Sequence, residues 1–585
     1  MSRQKKIVSG LASSRGIALG YVHLLNRGKV IIPKRKVDSK EVEFEISRFN
    51  SALSGAREQI HMLRKKVSEE QGDEHVYLIE AQMLMLDDKS LTDDTRELIR
   101  GERINAEWAV QKAIERFKKL FDRIDDEYFR DRRSDIEYVE ERLLRLLAGT
   151  QEQSYVSIHR KTILVAHELS PADIIKINRE HLVGIATDLG GRTSHFSILA
   201  RSLDLPCVIG TKVVSQEVQN GDRIILDGSS GTIILHPDQN TWNEYEERRK
   251  QYLATRKELL KNKNYKAETK DHYQVHLFAN VDLLEEVTVA LENGAEGIGV
   301  LRTENLFLGG ELKTSEEEQV ECYKKVVTQM KPHEVVIRLF DFPGDSLYGT
   351  PIAGRIEHNP ALGLRGIRLL LREVDILKSQ LRAILQASAF GKVAILYPMI
   401  SCVSEVRRLN QVIKEVMSDL QTQGINFDPD VRIGAMIEIP SAALTANRIA
   451  QEVDFLSIGT NDLIQYTLGV DRTNELVADL YNPLHGSVIH LLHKVVEFGH
   501  KAGIEVGVCG EIANEPMFIP LLVGLEYNFL SVGARAIPSV KQIIREITMT
   551  EAKQWVAEIS GQDDPSEMRK CLSTYYASRF TGVFP

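Results

Sequence analysis

Asp454-Phe455-Leu456-Ser457-Ile458-Gly459-Thr460-Asn461-Asp462 is a short apolar run that breaks at a glycine and ends on two polar side chains. Runs of this length, with glycine at the exit, read as buried strands that turn into a following helix. Seven further segments share the texture: Val275–Ala279, Gly297–Val300, Val335–Leu339, Val393–Tyr397, Ile433–Met436, Glu505–Val508 and Phe529–Val532. Helical stretches lie between them. Eight parallel-type strands with intervening helices in roughly 320 residues predict a (β/α)8 barrel with insertions.

Barrels of this kind carry chemistry at the C-terminal ends of their strands. The exits here hold Asn280 and Asp282, Arg302, Arg338 with Asp341, Tyr397, Glu438, Asn461 with Asp462, Cys509 with Glu511, and Arg535. Taken singly, a carboxylate after a strand is usually a helix cap and an arginine usually a surface ion pair. Taken together they form a polar ring. Glu438 and Asp462 suit a hard divalent cation, Mg2+ before Zn2+ because no His–Cys cluster accompanies them. Arg302 and Arg338, with Arg365 and Arg472 on following segments, offer planar forks for phosphate or carboxylate. A small phosphorylated anion is the expected ligand. Cys509 is either core filler or a thiol that donates a proton to a carbon acid.

Working outward from the barrel, the stretch Trp242–Glu268 is dense in charge and reads as a solvated helical linker. Before it, Thr162–Ala166, Gly184–Ala186, Cys207–Ile209, Arg223–Leu226 and Thr232–Leu235 are strand-like. So are the glycine-bounded runs of the first 35 residues. Between these two groups Ile46, Phe49, Leu53, Ala56, Ile60 and Leu63 recur at helical spacing, and Gly149 ends a last helix. The expectation is therefore an α/β multidomain chain. Residues 1–35 and 150–237 form one α/β domain, 36–149 an inserted helical bundle, 238–267 a helical linker and 268–585 the barrel.

Within the first of these domains, Gly190-Gly191-Arg192-Thr193-Ser194-His195 follows a strand and precedes a helix expected near Phe196. Paired glycines allow a tight turn, and a helix N-terminus favours an anion. His195 there is either a capping residue or a nucleophile towards phosphorus. A phosphate site elsewhere in the chain favours the nucleophile.

The chain has 585 residues, Lys+Arg 74 against Asp+Glu 83, and 43% hydrophobic residues, so it can bury several cores and lacks the basic excess of a nucleic-acid binder. No apolar run reaches the ~20 residues of a membrane span, and the start is polar rather than signal-like, so a cytoplasmic enzyme is expected. Five scattered cysteines argue against a disulfide framework.

Asp188-Leu189-Gly190-Gly191-Arg192-Thr193-Ser194-His195, with Ala200-Arg201-Ser202-Leu203 and Pro206 after it, resembles the phosphohistidine segment of the Enzyme I family of the sugar phosphotransferase system (phosphoenolpyruvate–protein phosphotransferases). Gly297-Ile298-Gly299 with Leu301-Arg302-Thr303-Glu304, Asn359-Pro360-Ala361-Leu362-Gly363, Asp454-Phe455 with Ser457 to Leu463 and Gln465-Tyr466-Thr467, Val470-Asp471-Arg472 and Cys509-Gly510-Glu511 are similar to that family's other motifs, in the same order. The resemblance implies a swivelling phosphohistidine domain with an inserted helical domain that docks the phosphocarrier protein HPr, then a barrel that binds phosphoenolpyruvate and mediates a homodimer. It implies that His195 is phosphorylated, that Glu438 and Asp462 bind Mg2+, and that Arg302, Arg338, Asn461, Asp462 and Arg472 hold the substrate. Cys509 would protonate the enolpyruvate carbon. Neither nucleic acid nor membrane insertion is implied.

Two departures stand out. Pro343 and Ser346 occupy positions where the family usually has glycine and lysine, and Gln82 stands where the insert commonly has histidine. The first removes a positive charge and stiffens a loop. A regulatory or weakly active paralogue is therefore the alternative expectation. Two-module relatives that use a nucleotide would need a further domain, and no N-terminal glycine-rich phosphate loop is present.

Overall fold

In the computed structural model of the chain the described residues are 4–25, 33–71, 82–83, 85–121, 127–149, 160–169, 181–190, 200, 205–304, 315–342, 359–472, 474, 476–477, 480–562 and 564–580. They divide into two compact units, with the boundary in the chain at Leu253–Ala254.

The first unit holds an eight-stranded sheet of β1 (Lys6–Ser9), β2 (Leu11–Ser14), β3 (Ile17–Leu25), β4 (Thr162–Ala166), β5 (Leu182–Thr187), β6 (Cys207–Ile209), β7 (Arg223–Asp227) and β8 (Thr232–Leu235), in the order β1-β8-β7-β3-β4-β5-β6-β2. β3 pairs in parallel with β4 although 136 residues separate Leu25 from Thr162. The strand residues alternate between two buried faces: Ile163 and Val165 join one cluster, Leu164 and Ala166 the other. Such double burial explains why these strands read as unbroken apolar runs. β1 and β2 pair with opposite edges of the sheet, yet only Gly10 separates them. A Cβ at Gly10 would lie 2.6 Å from the carbonyl oxygen of Ile209, so only glycine fits this corner.

Between β3 and β4 the described residues include the helices α1 (Val42–Gln71), α2 (Lys89–Glu102), α3 (Ala106–Phe121) and α4 (Glu127–Ala148). The stripe Ile46, Phe49, Leu53, Ala56 and Ile60 packs with Ile99, Val110, Ile114, Val139 and Leu143 into one core. Helix α4 begins at Glu127, nine residues before the Ile136 segment that the sequence pattern marks, and Gly149 follows it with φ +66. One end of the bundle buries charge. Glu45 is fully buried and accepts from Arg35 Nη2 (2.8 Å), Arg48 Nη1 (2.7 Å) and the Ala106 amide (3.0 Å). Arg48 Nη2 also donates to Glu107 (2.5 Å), which accepts from Asn105 as well (2.6 Å).

Helix α5 (Gln239–Lys261) follows the sheet. The linker expected as a solvated helix to residue 267 ends its helix at Lys261, and its first turns are not fully solvated. Trp242 and Tyr245 pack on Ile17, Leu19, Ile225 and Ile234, and the Arg223 guanidinium stacks 4.1 Å from the Trp242 ring centroid.

The second unit is a closed parallel barrel of β9 (His276–Val281), β10 (Gly297–Leu301), β11 (Glu334–Arg338), β12 (Val393–Tyr397), β13 (Arg432–Ile437), β14 (Phe455–Ile458), β15 (Glu505–Val508) and β16 (Phe529–Gly533). Each strand lies within two residues of the segment read from the sequence. The interior is filled by Phe278, Val300, Val336, Ala394, Leu396, Met436, Phe455 and Phe529. Gly434 and Gly507 leave room for the rings of Phe455 and Phe529. Alternate residues such as Leu277, Ile337, Ile395 and Leu456 face the surrounding helices. All five cysteines are free thiols.

Two expectations follow for stability. Replacing Arg48 with Met leaves Glu45 and Glu107 without their shared cation, and should cost about 3 kcal/mol in chemical denaturation followed by helical circular dichroism. At the start of β9, His276 lies 2.8 Å from Glu296, whose hydrogen bond and charge raise the imidazole above its ordinary value against the effect of burial. Stabilisation by a raised histidine is present below its unfolded value and is lost as pH rises through the folded one. The pair is partly exposed, so its share is small. His276→Gln should lower Tm near pH 5.5 but not near pH 8.5, as scanning calorimetry at both values would read.

Candidate active site

The two-residue alternation of the barrel strands selects the side chains at the mouth. On β11, Val336 points inward and Ile337 outward, so Arg338 points inward. On β13, Met436 is inward, so Glu438 is too; on β14 the inward residues are Phe455 and Ser457. After β15, Cys509 is itself part of the interior cluster. A register shift in β10 turns Val300 inward and so carries Arg302 to the same side. The same alternation removes Tyr397 from the ring of polar exits. Its ring is in the outer core and its hydroxyl donates to Asn410 (2.9 Å) on the helix Val403–Thr422.

Arg338 is the centre of a charge cluster. Its side chain is 12% exposed, and Nη2 donates to Glu304 Oε1 at 2.5 Å while Nη1 lies 3.8 Å from Asp341 Oδ2. Burial opposes its charge, but Glu304, Asp341 and Glu438 outweigh that and hold the guanidinium above its ordinary value. Asp341 takes both arms of Arg365, Nε at 3.0 Å and Nη2 at 2.8 Å. Burial pushes Asp341 up, whereas Arg365, Arg338 and Arg302 pull harder and keep it ionised. Arg338 Nε and Glu304 Oε2 are buried and have no hydrogen-bond partner among the described residues.

Glu438 is buried, with Oε1 accepting from the Met399 amide at 2.6 Å. Met399 adopts φ +55 to make that contact. Burial first, then the charges of Asp462 and Asp341, raise Glu438 well above the carboxylate range. Asp462 follows Asn461 in the first turn of the helix Thr460–Leu468. Asn461 Oδ1 accepts from the Glu511 amide (3.1 Å), and its carbonyl accepts from Tyr481 (3.3 Å). Tyr481 is raised by burial, and Arg472 lies close enough to counter part of that shift. The Arg472 amide donates to Gln465 (3.2 Å). Tyr466, whose hydroxyl donates to the Ala361 carbonyl, is pushed up to about 12, by burial before any charge.

The Cys509 thiol sits 3.4 Å from the Ile458 carbonyl and is pushed up to about 11, chiefly by burial. Ser457 and the two arginines Arg338 and Arg302 act in the other direction. A thiol with that value stays protonated at neutral pH and can act as an acid. Arg302 pairs with Asp282 at 3.3 Å.

No group of three or more His, Cys, Asp or Glu able to hold a metal by itself occurs among the described residues. Two crowded carboxylates, Glu438 and Asp462, still suit Mg2+, which keeps waters and substrate oxygens in its remaining positions. A cation between them would relieve the repulsion that raises Glu438. The donor set therefore fits.

His195 lies outside the described residues, as do Pro343 and Ser346. The segment that leads to His195 is anchored, however. Asp188, buried at the end of β5, accepts from the Ser215 amide (3.1 Å), from Thr211 (3.0 Å) and from the Ser215 hydroxyl, and His167 Nδ1 lies 3.2 Å from it. Gly190 then takes φ +119, a conformation that favours glycine. Gln82 of the helical insert is buried.

Sequence reading passed over Glu304, Met399 and Tyr466 as individual residues. Glu304 and Tyr466 stand inside recognised motifs, so a signal existed for them. Met399 contributes only its backbone, which no side-chain pattern discloses.

Comparison with known proteins covers both units. Residues 9–132 match the N-terminal part of PEP-utilising enzymes, 158–231 their mobile domain and 256–549 their PEP-binding domain. The phosphoenolpyruvate-protein phosphotransferase of Priestia megaterium is 37% identical over 563 residues, 96% of this chain and 98% of that protein. That of Haemophilus influenzae is 38% identical over 547 residues, 94% and 95% of the two chains. A solved structure described as an NMR solution structure of Enzyme I (nEIt) is 34% identical and covers 42% of this chain and 99% of that one, with a TM-score of 0.37. With relatives of this identity aligned from the sheet and bundle through the barrel, the chain belongs to the PEP-utilising enzymes, in the phosphoenolpyruvate-protein phosphotransferase family.

Proposed function

We propose that the chain takes the phosphoryl group of phosphoenolpyruvate onto His195 and passes it to the phosphocarrier protein HPr, releasing pyruvate. The observation that carries this is Arg338: a buried guanidinium whose Nε has no partner among the described residues, at the mouth of a closed barrel, beside the crowded pair Glu438 and Asp462. That combination answers a small polyanion that brings a divalent cation with it.

In this reading Arg302, Arg338 and Arg472, with Asn461 and Asp462, hold the phosphate and carboxylate. Mg2+ on Glu438 and Asp462, when bound, would neutralise charge on the transferring phosphoryl group. The enol P–O bond breaks as a bond forms between phosphorus and His195 Nε2. The electron pair left on the enolate oxygen returns as a carbonyl, and the methylene carbon takes the Cys509 proton. Ketonisation of the enol makes the donor strong enough to need no ATP. His195 then gives the phosphoryl group to a histidine of HPr. Residues 1–35 and 150–237 would be the phosphohistidine domain, 36–149 the HPr-docking insert, 238–267 the linker and 268–585 the substrate barrel of a homodimer. Among the described residues no helix is long and apolar enough to cross a membrane; cytoplasmic operation fits a relay between soluble partners.

Incubation of the full chain with Mg2+ and phosphoenolpyruvate labelled in its phosphate should give acid-labile, base-stable label that chases to added HPr. His195→Ala should take no label yet bind substrate with unchanged affinity in calorimetry. Loss of binding in that variant would contradict the assignment of the barrel as the substrate site. Label that forms but does not chase would favour the regulatory paralogue. Cys509→Ala should slow pyruvate formation by about 10²-fold or more and leave binding within about twofold. An unchanged rate would make the thiol packing material.

A further inference from the structure

Behind the substrate arginines lies a buried amide that the chemistry does not use. Gln380, on the helix Val374–Ser388 that follows β11, is fully buried. Its Oε1 accepts from the Phe340 amide at 3.1 Å, and its Nε2 donates to Thr303 Oγ1 (3.2 Å) and to the Tyr323 hydroxyl (3.3 Å). Thr303 Oγ1, itself completely buried, donates to the carbonyl of Arg338 at 2.9 Å. One side chain thus joins the exit of β10 to the exit of β11. The joined backbone carries Arg302 and Glu304 on either side of Thr303, and Arg338 and Asp341 on either side of Leu339-Phe340. Glu304 Oε1 adds a second tie by accepting from the Asp341 amide at 3.2 Å.

We infer that Gln380 and Thr303 are positioning residues, which set the spacing of Arg302 and Arg338 and so the fit of the site to a phosphate-bearing anion. Two features support a role beyond packing. A buried amide costs free energy unless each of its groups is bonded. Here two of its three bonds go to the two strand exits that hold arginines, beyond the last backbone pair of β10 and β11 among the described residues, Leu301 with Ile337. Arg338, moreover, is anchored to Glu304 from that neighbouring exit, so any slip between the exits moves the guanidinium relative to its counterion.

The inference rests on the assignment of Arg302 and Arg338 to phosphoenolpyruvate. It is tested on the full chain with Mg2+ by three variants, Gln380→Met, Thr303→Val and Thr303→Ser, against Arg338→Met as a control. Phosphoenolpyruvate affinity by calorimetry, KM and kcat for pyruvate formation, and Tm are measured, with kinetics well below each Tm. Gln380→Met and Thr303→Val should each raise KM and Kd about tenfold or more, with a smaller change in kcat, and together give less than the product of the two effects. Thr303→Ser, which keeps the hydroxyl, should restore KM. A lower Tm with unchanged KM and Kd in Thr303→Val would overturn the inference and leave the network structural, whether or not Gln380→Met folds. Wild-type affinity in Arg338→Met would overturn the substrate assignment itself.

Discussion

Closing eight parallel strands into a barrel leaves each strand residue only two directions, and the rest of the site depends on that restriction. An inward residue above Val336, Met436 and Gly507 cannot avoid the mouth, so Arg338, Glu438 and Cys509 converge without any loop having to aim them. The floor beneath is apolar: Phe278, Phe455 and Phe529 meet at ring-centroid distances of 5.5 and 6.2 Å. Charges set on such a floor have few alternatives to one another. The barrel thus supplies both the geometry of the site and the low dielectric that makes its charges matter.

Those charges are arranged in opposed layers. Glu304 and Asp341 hold Arg338 and Arg365, whereas Glu438 and Asp462 crowd each other at the adjacent exits of β13 and β14. A protein that only needed a stable core would replace the cluster with apolar side chains at little cost. Retaining an under-compensated pair beside a buried, half-used guanidinium makes sense for a site completed by its ligands. Cys509 illustrates the same economy. Burial keeps the proton on the sulfur, and the nearby arginines lessen the penalty for giving it up.

Much of this was legible in the chain itself, for definite reasons. Strands buried on two faces are continuous apolar runs, so all eight barrel strands could be read to within two residues. Tyr397 was misread as an exit residue although its parity, one residue after the inward Leu396, already turned it outward. Gln380 carries no local signal, because its partners are 40 to 77 residues away and become neighbours only when β10 and β11 pair. Trp242 and Tyr245 were hidden for another reason. Two aromatic anchors in a strongly charged helix hardly alter its average polarity, yet they decide which turns of α5 touch the sheet. The buried Glu45–Arg48–Glu107 cluster likewise resembles ordinary surface charge until the helices are assembled.

Gly10 has a consequence of a different kind. The outermost strands of an open sheet present unpaired amides and carbonyls that invite a second chain to add on. In this sheet the two outermost strands are successive in sequence and are joined by one residue, so the two borders converge where the Gly10 amide donates to the Gly231 carbonyl at 2.9 Å. The corner that only glycine can occupy therefore shields the fold from edge-to-edge self-association, a protection provided by connectivity rather than by surface charge.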